Sequence, residues 1–229
     1  MQMRALLVLA AVGSFALVTV PCTAAEEEAW VPLFNGKDLS NWETKGGAAT
    51  YHIEEDAIVG VSAPNTKNSF LCTKEHYADF ILEFEFKASP TMNSGCQIRS
   101  NSLPDYKDGQ VHGYQVELED ENNPRKWSGG IYDEGRRGWL YPTKENEELA
   151  SKFSEAGKTV WKNGEWNTIR VEAIGSSIKT WVNGELRADL QDDMTPSGFI
   201  ALQVHGVGDK TEPMTVRWRN IRIQEAKGK

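Results

Sequence analysis

Residues 93–100 read NSGCQIRS, residues 113–120 read GYQVELED and residues 128–140 read SGGIYDEGRRGWL. Apolar and polar side chains alternate within each segment, the period of an extended strand whose successive side chains face opposite ways. Ile98 takes one face while Gln97 and Arg99 take the other. Val116 and Leu118 turn inward, which turns Gln115, Glu117 and Glu119 outward. Ile131 goes in and Tyr132 goes out, ahead of a charged cluster of Asp133, Glu134, Arg136 and Arg137. A wet sheet face needs only to be polar. Here it carries amides, carboxylates, a guanidinium and an aromatic plate, a set suited to the hydroxyls of a sugar.

The same alternation extends outward in both directions. From Asp79 to Lys87, Phe80, Leu82, Phe84 and Phe86 face a core while Glu83, Glu85 and Lys87 face out. Upstream, Asn35-Gly36 is a turn pair, two short runs flank Asp56, and Ser69 to Thr73 forms another strand. Downstream, Glu165 to Ala173 alternates, and Asn183-Gly184 marks a hairpin turn between 177–182 and 185–190. In GFIALQVHG (198–206), Ile200, Leu202 and Val204 point in, with Gln203 and His205 out. The last strand, 214–224, shifts phase by one between Trp218 and Ile221, which predicts a bulge near Arg219. Only 144–157 resembles a helix. About ten to thirteen strands, with turn signals at intervals of roughly 8–12 residues, predict an all-β sandwich or jelly roll of two antiparallel sheets.

Arg4, an apolar run over 5–20 and PCTAA at 21–25 read as a secretory signal peptide. The run is shorter than the roughly 20 residues of a spanning helix. The expected organisation is therefore a signal peptide over 1–25 and a single domain over 26–229, exported and not inserted in a membrane after cleavage. Without Arg4 the balance is 24 basic against 33 acidic residues, a net charge of −9. That argues against nucleic acid or anionic membrane as partner and leaves small molecules and polysaccharides open. Cys72 and Cys96 lie in neighbouring expected strands of an exported chain, where a disulfide could persist; they have neither CxxC spacing nor a histidine pair for zinc, and buried free thiols are the expected state.

If the four strands share one sheet, Gln97, Arg99, Gln115, Glu117, Tyr132, Gln203 and His205 share its outer face, and that face is the candidate site. Glu117 and Glu119, spaced roughly 7 Å apart by strand rise, resemble the paired acids of a glycosidase. The acids and His205 could also hold a divalent cation, although no spacing specifies one.

Taken together, LFNGKDLSNW, DFILEFEFK, NSGCQIRS, GYQVELED, SGGIYDEGRRGWL, NGEWNTIRVEAIG with WVNGE, GFIALQVHG and VRWRNIRI resemble the 3-keto-disaccharide hydrolase domain family. They run in order over nearly all of the expected mature chain. Cys96 stands where that family commonly has a plain apolar residue. The resemblance implies a concanavalin A-like jelly roll, export to the periplasm or exterior of a bacterial cell, and action on 3-keto-glycosides made by a separate oxidase. It supports Gln97, Arg99, Gln115, Glu117, Tyr132, Asp133, Glu134, Arg136, Arg137 and His205 as site residues. A ketone at C3 acidifies the C2 proton, so a base can remove it and expel the group at C1, with or without later addition of water. Glu117 or His205 is the expected base, and Arg99 or a metal ion the expected partner of the oxyanion. Two other readings stay open: a non-catalytic, lectin-like carbohydrate-binding domain and a structural domain of the cell envelope.

Overall fold

The computed structural model describes residues 29–119 and 122–226. The expected signal peptide and its cleavage point lie outside them. Alternating strands fold into two antiparallel sheets. One sheet runs β13 (Glu185–Gln191), β12 (Ser177–Val182), β11 (Asn167–Ile174), β6 (Phe80–Ala88), β15 (Thr215–Glu225), β4 (Ala57–Val61) and β3 (Thr50–Glu54), with β1 (Val31–Pro32) also pairing β15. The other runs β10 (Gly138–Tyr141), β9 (Ile131–Glu134), β8 (His112–Leu118), β7 (Ser94–Asn101), β14 (Phe199–Val204), β5 (Ser69–Thr73) and β2 (Trp42–Gly46).

The core forms where the inward residues of the two sheets meet. Phe80, Leu82, Phe84 and Phe86 of β6 and Trp218 of β15 share one cluster with Ile98, Val116, Leu118, Ile200, Leu202 and Val204 of the opposite sheet. The Asn183-Gly184 hairpin joins β12 to β13 with both turn residues at positive φ, as a two-residue type I′ turn demands. The last strand shifts register between Arg219 and Arg222, with Asn220 at φ +52°, where the phase break predicts a bulge.

The helix α1 (Glu147–Val160) begins at Asn146, whose Oδ1 accepts from Leu149 N at 3.0 Å. That cap satisfies one of the orphan amides of the first turn. The helix buries Phe153 and Gly157, and Ser154 Oγ accepts from Trp127 Nε1 at 2.9 Å. It thereby braces the loop that carries Arg125 and Trp127. No helix among the described residues is long and apolar enough to cross a membrane.

Cys72 and Cys96 are free and buried. Their strands are not adjacent, because β14 runs between β5 and β7. Cys96 faces the main core, whereas Cys72 packs with Phe70, Val111, Phe199 and Ala201 in a separate cluster. Burial pushes the Cys72 thiol up to about 12 and the Cys96 thiol higher still. Neither thiol should react with a thiol reagent in the native protein, and both should react once it is unfolded without reductant. Loss of either thiol in the unfolded count would overturn that assignment.

Candidate active site

Strands β8, β7 and β14 stand side by side with β9 against β8, so the condition for a shared face is met. Register then sets the neighbours. Gln97 lies opposite Gln115 and Gln115 opposite Tyr132, while Gly95 lies opposite both Glu117 and Gln203. Gly95 leaves room for its neighbour: a Cβ there would stand 2.4 Å from Gln115 Cδ. Gln115 occupies that space and becomes the junction of a buried amide network.

The network has a direction. Gln97 Nε2 and Gln203 Nε2 donate to Gln115 Oε1 at 2.6 and 2.9 Å, and Gln115 Nε2 donates to Glu117 Oε2 at 2.9 Å. Asn93 Nδ2 donates to Glu117 Oε1 at 3.1 Å, and Ser100 Oγ donates to Gln97 Oε1 at 2.7 Å. An ionised carboxylate only accepts, so Glu117 dictates which way each amide turns. Burial raises the Glu117 pKa, and the two amides and the Arg125 charge offset part of that rise.

The floor opens into a cavity of about 560 Å³. Glu117, Gln115, Tyr132, Glu134, Arg137 and His205 line it, as do Asn68, Asn93, Arg125, Trp139, Lys144 and Glu145. The β9–β10 pairing puts Trp139 opposite Tyr132, and their rings meet edge-on at 5.3 Å. Arg125 stacks over Trp139 at 4.9 Å. Glu134 is pushed up to about 7, chiefly by burial and then by the charge of Glu117, against a hydrogen bond from Asn68. His205 holds Gly206 O through Nδ1 at 2.7 Å. If Nδ1 carries the proton, Nε2 is an acceptor.

Several expected residues lie elsewhere. Arg99 does not share the face: it sits at φ +46°, inside a register shift between Ile98 and Asn101. The bulge reverses the alternation, turning Ser100 toward Gln97 and Arg99 toward the other sheet. There the guanidinium donates to the carbonyls of Ala78, Ala173 and Gly175 at 2.6–2.9 Å and pairs with Asp79 at 2.8 Å. Asp133 is fully buried on the inward parity and anchors Arg136 and Arg137 instead of lining the cavity. Arg136 is tied to Asp133 and to Thr195 Oγ1 at 2.6 Å, also off the lining. Gln97 and Gln203 lie beneath the floor as supports for Gln115. Glu119 accepts from Trp127 N at 2.8 Å and pairs with Arg125, so it does not stand beside Glu117 in the cavity.

Arg137 is the expected cation that does reach the cavity. It is clamped by Asp133 and by Asp192, whose oxygens lie 2.8 and 3.1 Å from Nη1 and Nη2. Those two carboxylates raise its pKa. Among residues the sequence reading passed over, Trp139 had a usable signal. It follows the Gly135–Gly138 turn, and folding that hairpin back places it across from Tyr132. Asn68, Asn93 and Arg125 come from loops with no such periodicity. Among the described residues no three His, Cys, Asp or Glu side chains are grouped so as to hold a metal ion.

A jelly roll of two antiparallel sheets with a polar, aromatic-walled cavity on one outer face is the class these observations define. The chain belongs to the 3-keto-alpha-glucoside-1,2-lyase-like domain family, whose pattern matches residues 29–224, and this places it among domains related to carbohydrate chemistry. Comparison with curated proteins found no match in sequence. Solved structures share the fold. A candidate glycosyl hydrolase from Parabacteroides distasonis aligns with a TM-score of 0.57 at 19% identity, covering 86% of this chain and 94% of that one. A Bacillus subtilis protein with a galectin-like fold aligns at 0.58 and 11% identity, with 86% and 94% covered. The carbohydrate-binding module CBM66 from Bacillus subtilis aligns at 0.54 and 17% identity, with 81% and 96% covered.

Proposed function

We propose that this protein is an exported enzyme that cleaves the glycosidic bond of 3-keto-glycosides by removing the C2 proton and expelling the group at C1. The observation that carries the reading is one cavity, in a chain of this family, lined by Glu117, Glu134, His205 and an aromatic pair. Glu117, in its ionised form and with both oxygens accepting amide hydrogens, takes the proton from C2. The electron pair left on C2 delocalises into the C3 ketone and then forms the C1–C2 double bond as the C1–O bond breaks. Glu134, pushed up to about 7 and so still partly protonated at neutral pH, gives its proton to the departing oxygen. His205, through Nε2, is the alternative base. Arg137 supplies positive charge for the enediolate oxygen, the role the sequence pattern suggested for Arg99. Addition of water to the resulting enol ether, where it occurs, completes net hydrolysis.

Incubation with an aryl 3-keto-glucoside, following release of the aryl alcohol, tests the reading. Release should slow as pH rises through about 7, because the donor form of Glu134 is lost there. It should also slow at low pH, as Glu117 becomes protonated. Glu134→Gln should abolish the alkaline limb together with most of the rate. Sugar binding without turnover in the wild type would favour the lectin-like reading instead.

A further inference from the structure

Glu117 alternates between carboxylate and acid in the proposed reaction, so its hydrogen-bond partners must serve two forms. A carboxylate only accepts, whereas the acid has an O–H to donate. Among the described residues its carboxyl has two such partners, Gln115 and Asn93, and they differ in what they can do. Gln115 is held in place. Its Nε2 donates to Glu117 Oε2 while its Oε1 accepts from Gln97 Nε2 and Gln203 Nε2, so turning it over would break three hydrogen bonds. Asn93 can turn. It precedes β7 on the parity of Gly95, the residue opposite Glu117, and lines the cavity. Its Nδ2 donates to Glu117 Oε1 at 3.1 Å, but its Oδ1 is buried with no hydrogen-bond partner among the described residues. A buried acceptor left unpaired costs free energy. Turning this amide over breaks only the bond to Glu117 and brings that idle oxygen to face Oε1.

We infer that Asn93 is a positioning residue serving both forms of Glu117: its amide donates to the carboxylate and, once the proton has moved, turns over to accept from the new O–H. The inference rests on Glu117 as the base of the proposed cleavage. It also selects the oxygen that takes the proton. A lone pair of Oε1 forms the bond to the hydrogen of C2, and the electron pair of the broken C–H bond stays with the sugar. Oε2 keeps its bond from Gln115 and becomes the carbonyl oxygen of the acid. Protonation at Oε2 instead would leave an O–H beside an amide that has no idle acceptor to offer. Charge reaches the same carboxyl from several elements: Arg125 in its loop, Glu119 on β8, and Tyr132 and Glu134 on β9. Arg137, Lys144, Glu145 and His205 line the cavity around it. Among the described residues none of these hydrogen-bonds the Glu117 carboxyl, so none stands in for the amide.

A nuclear magnetic resonance titration of the full chain tests the turn, with the Asn93 and Gln115 amides and the Glu117 carboxyl observed together. At the Glu117 midpoint the Asn93 nitrogen should lose the signature of a bonded donor and its carbonyl carbon gain that of an acceptor. Gln115 should change little, and Glu117→Gln should abolish the response. An Asn93 amide that ignores the titration, or a Gln115 amide that moves as much, overturns the assignment. Asn93→Leu gives the kinetic counterpart, because leucine nearly keeps the volume and offers neither donor nor acceptor. Losing the charge-assisted bond raises the Glu117 pKa, since the ionised form loses more than the acid does. The acid limb for an aryl 3-keto-glucoside should therefore move to higher pH. With neither form held, kcat should fall by about tenfold or more, while KM stays within about threefold. An acid limb that stays in place overturns the assignment as well. If no 3-keto-glycoside is turned over, the proposed cleavage fails, yet the titration still decides whether Asn93 turns with Glu117.

Discussion

Glu117→Gln should lower turnover of a 3-keto-glucoside by about 10²–10⁴-fold, the usual contribution of a general base. The substitution changes almost no volume, so the effect comes from the lost proton acceptor. It also disturbs the amides beneath. Glu117 accepts from both Asn93 and Gln115. A glutamine offers one carbonyl oxygen and one amide nitrogen, so one of those neighbours must turn over. A reversed Gln115 would in turn face Gln97 and Gln203 donor to donor. The folded content should stay intact by circular dichroism, with a modest fall in Tm. His205→Gln, measured beside it, assigns the base: the larger loss of kcat belongs to the residue that takes the C2 proton. Near-wild-type rates in both variants would place the chemistry away from this cavity.

Arg99→Met should be strongly destabilising while leaving the chemistry alone. The guanidinium is almost fully enclosed, and it joins the cavity sheet to the other one through three backbone carbonyls and Asp79. Removing one partner from such an arrangement costs about 3–5 kcal/mol, because the remaining groups stay desolvated and unpaired. For a chain of this size the fall in Tm is on the order of 10 °C. Arg99→Lys should recover only part of the loss, since a single ammonium cannot reproduce the fork that spans these acceptors. Turnover per folded molecule should remain within about twofold of wild type. A large fall in kcat with an unchanged Tm would return Arg99 to the reaction.

These two residues mark the division between what is local and what is not. Both were placed outward by the same parity argument. For Glu117 the argument holds, because β8 runs regularly from Tyr114 to Leu118 and side-chain direction there depends only on counting residues. For Arg99 it fails because a residue at positive φ reverses the count, and nothing in QIRSN announces that break. The phase break between Trp218 and Ile221 was readable, since large apolar residues on both sides of the bulge reveal the shift.

The sequence by itself determined the two-sheet architecture, the core-facing residues of the long strands, the hairpin at Asn183-Gly184 and the family. All of these rest on period-2 patterning and short-range turn chemistry, which are properties of neighbouring residues. Tertiary structure alone decided which polar residues meet. Gln97 and Gln203 became supports because β14 docks beside β7, and Asp133 became an anchor because the chain turns back at Gly135. Asn68, Asn93 and Arg125 entered the cavity from loops, where no periodicity constrains direction. The elevated pKa of Glu134 is likewise mainly non-local, the adjacent Asp133 being the smallest of its causes. It arises from burial and from a carboxylate on another strand, and only the folded chain brings that charge near.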